Sequence, residues 1–488
     1  MQRSANRMWM IGVAGLAAGL GMIAGCSVGP RYRAPAPPTV TAYTPQPLPA
    51  ETASSQGPSG NAQHFNSSAA IPADWWTTFQ SPELNAMVEQ ALKNSPTLEQ
   101  ATARLKQAQE EVNARTGATK FPTITGNASV TKEQLNLAAL GVPFPNPSPF
   151  TLLNGSVAVS YALDVFGANR RAIEGLKAQR DYEARQIEGA RLMLEGNVVA
   201  AAIRLAEVRR EIEITRQLVT VEQKELKILE KRERAGGVSD FDVHSQLTQV
   251  AQTEAAIPPL ELQLDTIDDQ LAALMGLSPA EADVAGISLD ALHLPEELPM
   301  TVPSELVRQR PDIRAAEALL HEASANVGVA TANQYPQIVL TGSGGGLGTR
   351  FNSGGDVWNV GASLAAPIFN GGALQAEKRK AEDAYDEAAS AYRATVLESF
   401  REVADALYAT EHDAEALQAR SVAAGEAEAA YGIAAKRYEA GGISEMSLLD
   451  AERQKLQTAL DRENAASSRL TDSATLFEAL GGSAKGSF

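Results

Sequence analysis

The stretch that decides the fold is Phe121-Pro122-Thr123-Ile124-Thr125-Gly126-Asn127-Ala128-Ser129-Val130-Thr131. Pro122 cannot continue a helix, and it biases Phe121 toward extended backbone. Beyond it, Thr123, Thr125, Asn127, Ser129 and Thr131 fall on one face, and Ile124, Gly126, Ala128 and Val130 on the other. A period of two with one polar and one apolar side reads as a β-strand. Three more stretches have the same form. Ser156, Ala158, Ser160, Ala162 and Asp164 alternate with Val157, Val159, Tyr161, Leu163 and Val165. Gln337, Val339, Thr341 and Ser343 alternate with Ile338, Leu340 and Gly342, and Asn359, Gly361 and Ser363 with Trp358, Val360, Ala362 and Leu364. Each stretch has about ten residues, the length that crosses a bilayer as a tilted strand. Phe121, Phe166, Tyr335 and Phe369 stand at the helix-proximal ends, where an interfacial aromatic girdle is expected. A sheet with one solvated face alternates in the same way, so the flanking sequence has to decide.

Outward from these strands the chain repeats itself at a spacing of about two hundred residues. The first repeat, 81–280, reads as a helix from Ser81-Pro82-Glu83 to about Ala118, strands at about 121–133 and 153–166, a long helix 167–234 and a helix 238–276. The second, 303–488, reads as a helix from Pro303 to about Asn333, strands at about 336–347 and 357–369, a long helix 371–439 and a helix 443–480. A linker, 281–302, joins them. The helical pairs turn at Ala235-Gly236-Gly237 and Ala440-Gly441-Gly442. The fold class is thus an α+β membrane protein, a duplicated α-β-β-α-α unit with four strands per chain.

Gly167 to Arg234 contains no proline and would extend on the order of 100 Å as a helix. Apolar residues recur at spacings of three and four, through Ile187, Ala190, Leu194, Val198, Ala201, Leu205, Val208 and Ile212. Tyr385, Ala389, Tyr392, Val396, Phe400, Val403 and Leu407 do the same in the second repeat. This is coiled-coil-like packing, with small residues that permit close approach.

The N-terminus supplies a membrane independently. Arg3 and Arg7 precede an apolar run from Trp9 to Leu20, too short to span as a helix, and then Ile23-Ala24-Gly25-Cys26. Residues 1–25 read as a signal peptide and Cys26, the one cysteine, as a lipidated first residue; no other cofactor is expected. Ser27 rather than Asp after the cysteine resembles lipoproteins sorted to the outer membrane. Residues 26–80 form a lipidated N-terminal arm, of which 27–72, rich in Pro, Ser, Thr and Ala, read as extended and poorly structured. A net charge of −17 from 42 basic and 59 acidic residues argues against a nucleic-acid surface.

Four strands cannot close a barrel, and lipid does not tolerate open edges. Chains must therefore pool strands. Two chains give eight, which side chains fill; three give twelve, the smallest set with an aqueous lumen.

The residues now described resemble the outer-membrane efflux protein family of the TolC and OprM type, in its lipoprotein (NodT-like) branch. The resemblance rests on Cys26-Ser27-Val28-Gly29-Pro30 with Tyr32, and on Trp75-Trp76 with Phe79, Pro82 and Leu84. It extends to Ala256-Ile257-Pro258-Pro259-Leu260-Glu261 and Arg310-Pro311-Asp312-Ile313-Arg314-Ala315-Ala316-Glu317, and covers nearly the whole mature chain. It implies a homotrimer in outer-membrane lipid whose 12-stranded β-barrel is continuous with a periplasmic α-helical barrel. The duct would dock to a periplasmic adaptor and an inner-membrane resistance-nodulation-division pump and carry out no chemistry. By motif match, Asp242 and Asp450 would line a periplasmic gate beyond the two glycine turns, with Arg453 as partner of Asp450. Asp240 and Glu445 are further acidic candidates without a family match. Ser447 stands where some relatives carry an acid, and Ser245 aligns internally with Asp450, so the carboxylate ring would be thinner here. Acids at helix starts also favour the helix dipole without any gate.

No metal-ligand spacing, phosphate loop or nucleophile elbow is present, and His321 and His412 read as solvated. Trp75-Trp76 reads as a packing anchor. Two alternatives remain open on sequence: a lipid-anchored periplasmic coiled-coil scaffold or adaptor without a pore, and a type I protein secretion duct.

Overall fold

The computed structural model describes residues 27–57, 59–66, 69–136, 141, 145, 148–281, 286–351 and 354–482. The signal peptide, Cys26 and parts of the loop at 141–149 and of the 281–302 linker lie outside them. The chain forms two compact units. One takes residues up to Pro35 with Arg104–Glu183 and Ala316–Tyr392; the other takes Ala36–Ala103, Ala184–Ala315 and Arg393 onward.

The first unit is organised by a four-stranded antiparallel sheet. Its strands are β2 (Thr123–Glu133), β3 (Phe150–Leu163), β5 (Gln337–Gly348) and β6 (Gly354–Ala365), in the order β2-β3-β5-β6. Register decides what the sheet presents. Thr123 pairs with Ser160 and Asn127 with Ser156; Ser160 pairs with Thr341, and Ser343 with Asn359. Paired residues share a face, so the four polar stripes become one polar surface, crossed by a 2.8 Å bond from Asn359 Nδ2 to Ser343 Oγ. The other face carries Ile124, Val157, Val159, Leu340, Val360 and Leu364, all exposed; Val360 is 81% exposed and Trp358 78%. The outer edges of β2 and β6 have no strand beside them among the described residues.

The strands sit a few residues from their expected bounds, for a local reason. Asp164, expected as the end of a strand, accepts from Asn169 N and Arg170 N at 2.9 Å each, and so serves the start of the following helix. Phe166 stacks on Tyr335 at 4.7 Å, while Phe121 and Phe369 are exposed. His321, expected to be solvated, is part-buried. It stacks on Tyr32 at 4.2 Å, and its Nε2 lies 3.0 Å from Glu174.

The helices are α1 (Pro82–Asn94), α2 (Pro96–Lys120), α3 (Ala168–Arg234), α4 (Asp240–Leu274), α5 (Pro303–Gln309), α6 (Pro311–Ala332), α7 (Ala373–Glu439) and α8 (Glu445–Ala479). α3 and α7 have 67 residues each, and α4 and α8 have 35 each. The helix expected to run unbroken from Ser81 to about Ala118 is two, as is the one expected from Pro303 to Asn333. Both break at a proline, and the residue before it, Ser95 or Arg310, is extended with ψ 117° or 125°.

In the second unit Trp75, Trp76 and Phe79 form a 3-10 turn sunk into the core. Trp75 stacks on Phe477 at 5.5 Å and donates from Nε1 to Glu195 Oε2 at 3.1 Å. This is the anchor that the tandem tryptophans suggested. The arm is more ordered than expected. Thr52 N donates to Gln63 O at 2.9 Å, and β1 (His64–Asn66) pairs in parallel with β4 (Glu297–Pro299). α3 and α8 pack through Ile214, Leu218 and Val221 against Leu449 and Leu456.

Candidate gate at the helix tips

The two turns that join the helix pairs are built alike. Gly236 N donates to Glu233 O at 2.8 Å and Gly237 N to Arg232 O at 2.7 Å; Gly441 and Gly442 repeat this on Tyr438 O and Arg437 O at 2.9 and 2.7 Å. Gly236 and Gly441 have φ of 73° and 70°, the left-handed conformation in which a Cβ is strained. The chain therefore reverses at these glycines, and a serine opens each following helix, Ser239 for α4 and Ser444 for α8.

The candidate acids then diverge. Asp242 Oδ2 accepts from Ser239 N at 2.9 Å and Ser239 Oγ at 2.7 Å. These two bonds hold its carboxyl below the usual aspartate range. Its carboxylate thus closes a cap on its own helix. In the second repeat Ser447 takes the corresponding place, and its N–H donates to Ser444 Oγ at 3.2 Å. Asp240 is exposed and lies 3.6 Å from His244 Nε2; Glu445 is exposed in the first turn of α8.

Asp450 belongs to a connected group. Arg453 Nη2 lies 3.3 Å from Asp450 Oδ1, and Arg453 Nε lies 4.0 Å from Glu225 Oε1 on α3. Glu225 is almost fully buried, and its other oxygen accepts from Gln246 Nε2 of α4 at 3.0 Å. Gln246 also donates to Glu222 O, and Gln249 Nε2 to Glu222 Oε1 at 3.3 Å. Burial pushes the Glu225 carboxyl above the usual range, Arg453 pulls it back, and Asp450 and Glu222 add to the rise. Arg453 is thus the cation that compensates a buried acid and ties α8 to α3. Sequence reasoning paired it with Asp450 and missed Glu225, Glu222 and Gln246. Glu222 and Glu225 sit on the buried side of α3, Gln246 is half-buried and Gln249 exposed; acids on the apolar stripe of α3 were the available signal.

Further links staple each helix pair. Arg216 Nη2 meets Glu261 at 2.6 Å between α3 and α4, and Lys455 Nζ meets Glu428 at 2.8 Å between α8 and α7. Among the described residues no group of acids, histidines or cysteines is arranged to hold a metal ion. Cys26 lies outside the described residues, but the segment after it is docked in the first unit. Val28 N donates to Phe166 O at 3.1 Å, and a Cβ on Gly29 would stand 2.7 Å from Gly328 Cα.

The outer membrane efflux protein family profile matches residues 87–277 and 302–482, one match for each repeat. The chain is 30% identical, over 84% of its length and 87% of the relative's, to the pyoverdine export outer membrane protein OpmQ of Pseudomonas putida. It is 28% identical, over 94% of its length and 96% of the relative's, to the solvent efflux pump outer membrane protein SrpC of the same species. Among solved structures, the outer-membrane channel OprN aligns with a TM-score of 0.81 at 28% identity, covering 94% of this chain and all of that one. The alignment with OprN covers the whole of that channel, so the two have this fold in common. The chain belongs to the outer membrane efflux protein family.

Proposed function

We propose that three copies of this chain close a 12-stranded barrel in the outer membrane and form the passive exit duct of a tripartite efflux assembly. One observation carries the reading. The sheet exposes an apolar face and leaves β2 and β6 open at its edges. In lipid the face is satisfied and the edges are not, so they must pair with edges of further copies. Four strands from each of three chains leave a water-filled lumen.

The duct receives small molecules from a periplasmic adaptor and an inner-membrane pump. Its relatives, named for pyoverdine export and solvent efflux, support a small-molecule cargo. Acyl chains on Cys26 anchor each copy beside the barrel. At the tips, Arg453 holds α8 to α3 through Glu225, and Asp450 projects as the exposed acid of the group. Threefold repetition brings three such acids toward one axis, where they attract cations and bind divalent ions.

The test is reconstitution of the purified mature protein in planar bilayers. Discrete channels are expected, with Asp450→Ala raising conductance and weakening block by divalent cations. Absence of channels would defeat the duct. Channels with unaltered divalent block in Asp450→Ala would remove Asp450 from the constriction.

A further inference from the structure

The arm that leads into the first repeat is fastened by a buried arginine. Arg469 of α8 is 1% exposed. Its Nη1 donates to Ser59 O at 2.7 Å; its Nη2 donates to Thr52 Oγ1 at 3.0 Å, Gln63 Oε1 at 3.1 Å and Asn61 O at 3.2 Å. Gln63, fully buried, donates in turn to Pro295 O and Ser473 Oγ. Every acceptor that this strap offers the cation is neutral. The charged residues that flank the strap, Glu51 and His64, face each other at the surface 3.5 Å apart, and nearby Glu296 accepts from Asn61.

Two atoms of the cluster lack partners. Arg469 Nε is buried and has no acceptor. One turn along α8, Asp472 Oδ2 is sealed from solvent and receives no N–H or hydroxyl donor. Its neighbour within hydrogen-bond reach is another carboxyl, Asp413 of α7; Asp413 and Arg469 are the charged groups that act on it. Two carboxylates this close cannot both be ionised without severe repulsion, whereas one proton between them supplies the missing bond. With that proton the cluster is also neutral, since one positive guanidinium faces one net negative carboxyl pair.

We propose that Asp472 carries a proton, donated in a hydrogen bond to Asp413, and that this proton keeps the strap fastened, the strap being the segment that holds Thr52, Ser59, Asn61 and Gln63. While the proton is bound, Arg469 directs its donors to the strap. When it leaves, two carboxylates compete for the guanidinium against neutral oxygens, and bonds in which both partners are ionised prevail. The guanidinium is drawn toward the acids and the strap is released. Burial and Asp413 push the Asp472 carboxyl up to about 7. Burial lowers Arg469 to about 10, so it stays cationic throughout that range. Between the ordinary aspartate range and about 7 the fastened state holds a proton that the open state has released. Fastening therefore weakens with rising pH across that window and is level above it. The device is independent of the gate at the helix tips.

Hydrogen exchange of the full-length protein in detergent, read on strap peptides and corrected for intrinsic rates, tests this. The opening constant of the wild-type strap should rise up to about tenfold per pH unit between about pH 5 and about pH 7, then level off. Asp472→Asn and, separately, Asp413→Asn should each remove that slope. Infrared spectra of the unmodified protein near pH 6 should show a buried protonated carboxyl that titrates over the same window, which keeps the test valid should the variants fail to fold. A strap whose protection is flat in wild type, a slope retained in both variants, or no titrating carboxyl band would each overturn the proposal.

Discussion

Replacing Arg453 with Ala should loosen the helix tips, and the structure sets the size of the effect. Two interactions are lost. The pair with Asp450, at 3.3 Å and with Asp450 57% exposed, is a surface ion pair, worth about 0.2–1 kcal/mol. The second loss is larger, because Glu225 is 4% exposed on its side chain and Arg453 is the cation beside it. Removing one partner of a fully buried pair costs about 3–5 kcal/mol. Here the separation is 4.0 Å and Gln246 still donates to one oxygen of Glu225. About 1–2 kcal/mol is therefore the reasonable share. The sum, about 1–3 kcal/mol, corresponds to a shift of roughly 5- to 150-fold in a two-state equilibrium between closed and open tips. Single-channel recording reads it as an increase in open probability or conductance. Glu225→Gln removes the charge that Arg453 answers, so Arg453→Ala should cost markedly less in that background, with a coupling of at least about 1 kcal/mol. Unchanged gating in Arg453→Ala, or effects of the two substitutions that simply add, would refute the assignment of Arg453 as the tie between α8 and α3.

Three further outcomes are expected. Asp242→Asn should fray the start of α4 at neutral pH. The Asp242 carboxyl is depressed by its bonds to Ser239, so its contribution is full above the ordinary aspartate range and lost as pH falls through the lower folded value. Exchange rates in the first turn of α4 should thus differ from wild type at neutral pH and converge in acid. Trp75→Ala removes a fully buried ring that stacks on Phe477 and bonds Glu195; denaturant titration should register a loss of about 3–5 kcal/mol. Cys26→Ser should abolish incorporation of labelled fatty acid while the sheet and helices still form.

Much of this architecture could be read from local pattern. The strands at Thr123–Glu133 and Gln337–Gly348 declared themselves by alternation, and the tips by Gly236-Gly237 and Gly441-Gly442. These signals lie within a few residues of one another, which is why they are visible without a structure. The breaks at Ser95-Pro96 and Arg310-Pro311 were passed over because a proline at the first position of a new helix looks, in sequence, like one inside a continuing helix. What brings distant residues together was not legible. Arg453 and Glu225 meet across more than two hundred residues, and Arg469 reaches the strap across 410. The stretch from Glu51 to Asn66 resembled a disordered arm by composition, and partners far along the chain, among them β4, Arg469, Ser473 and Gln418, hold it. His321 reads in sequence as a solvated helix residue, and its partial cover comes from Tyr32, almost three hundred residues away.

The open edges of β2 and β6 call for other copies of the same chain to close them. Native mass spectrometry of the detergent-extracted mature protein counts those copies directly. Three chains per particle is the result this account predicts; a particle of one chain, its sheet edges still open, would contradict it.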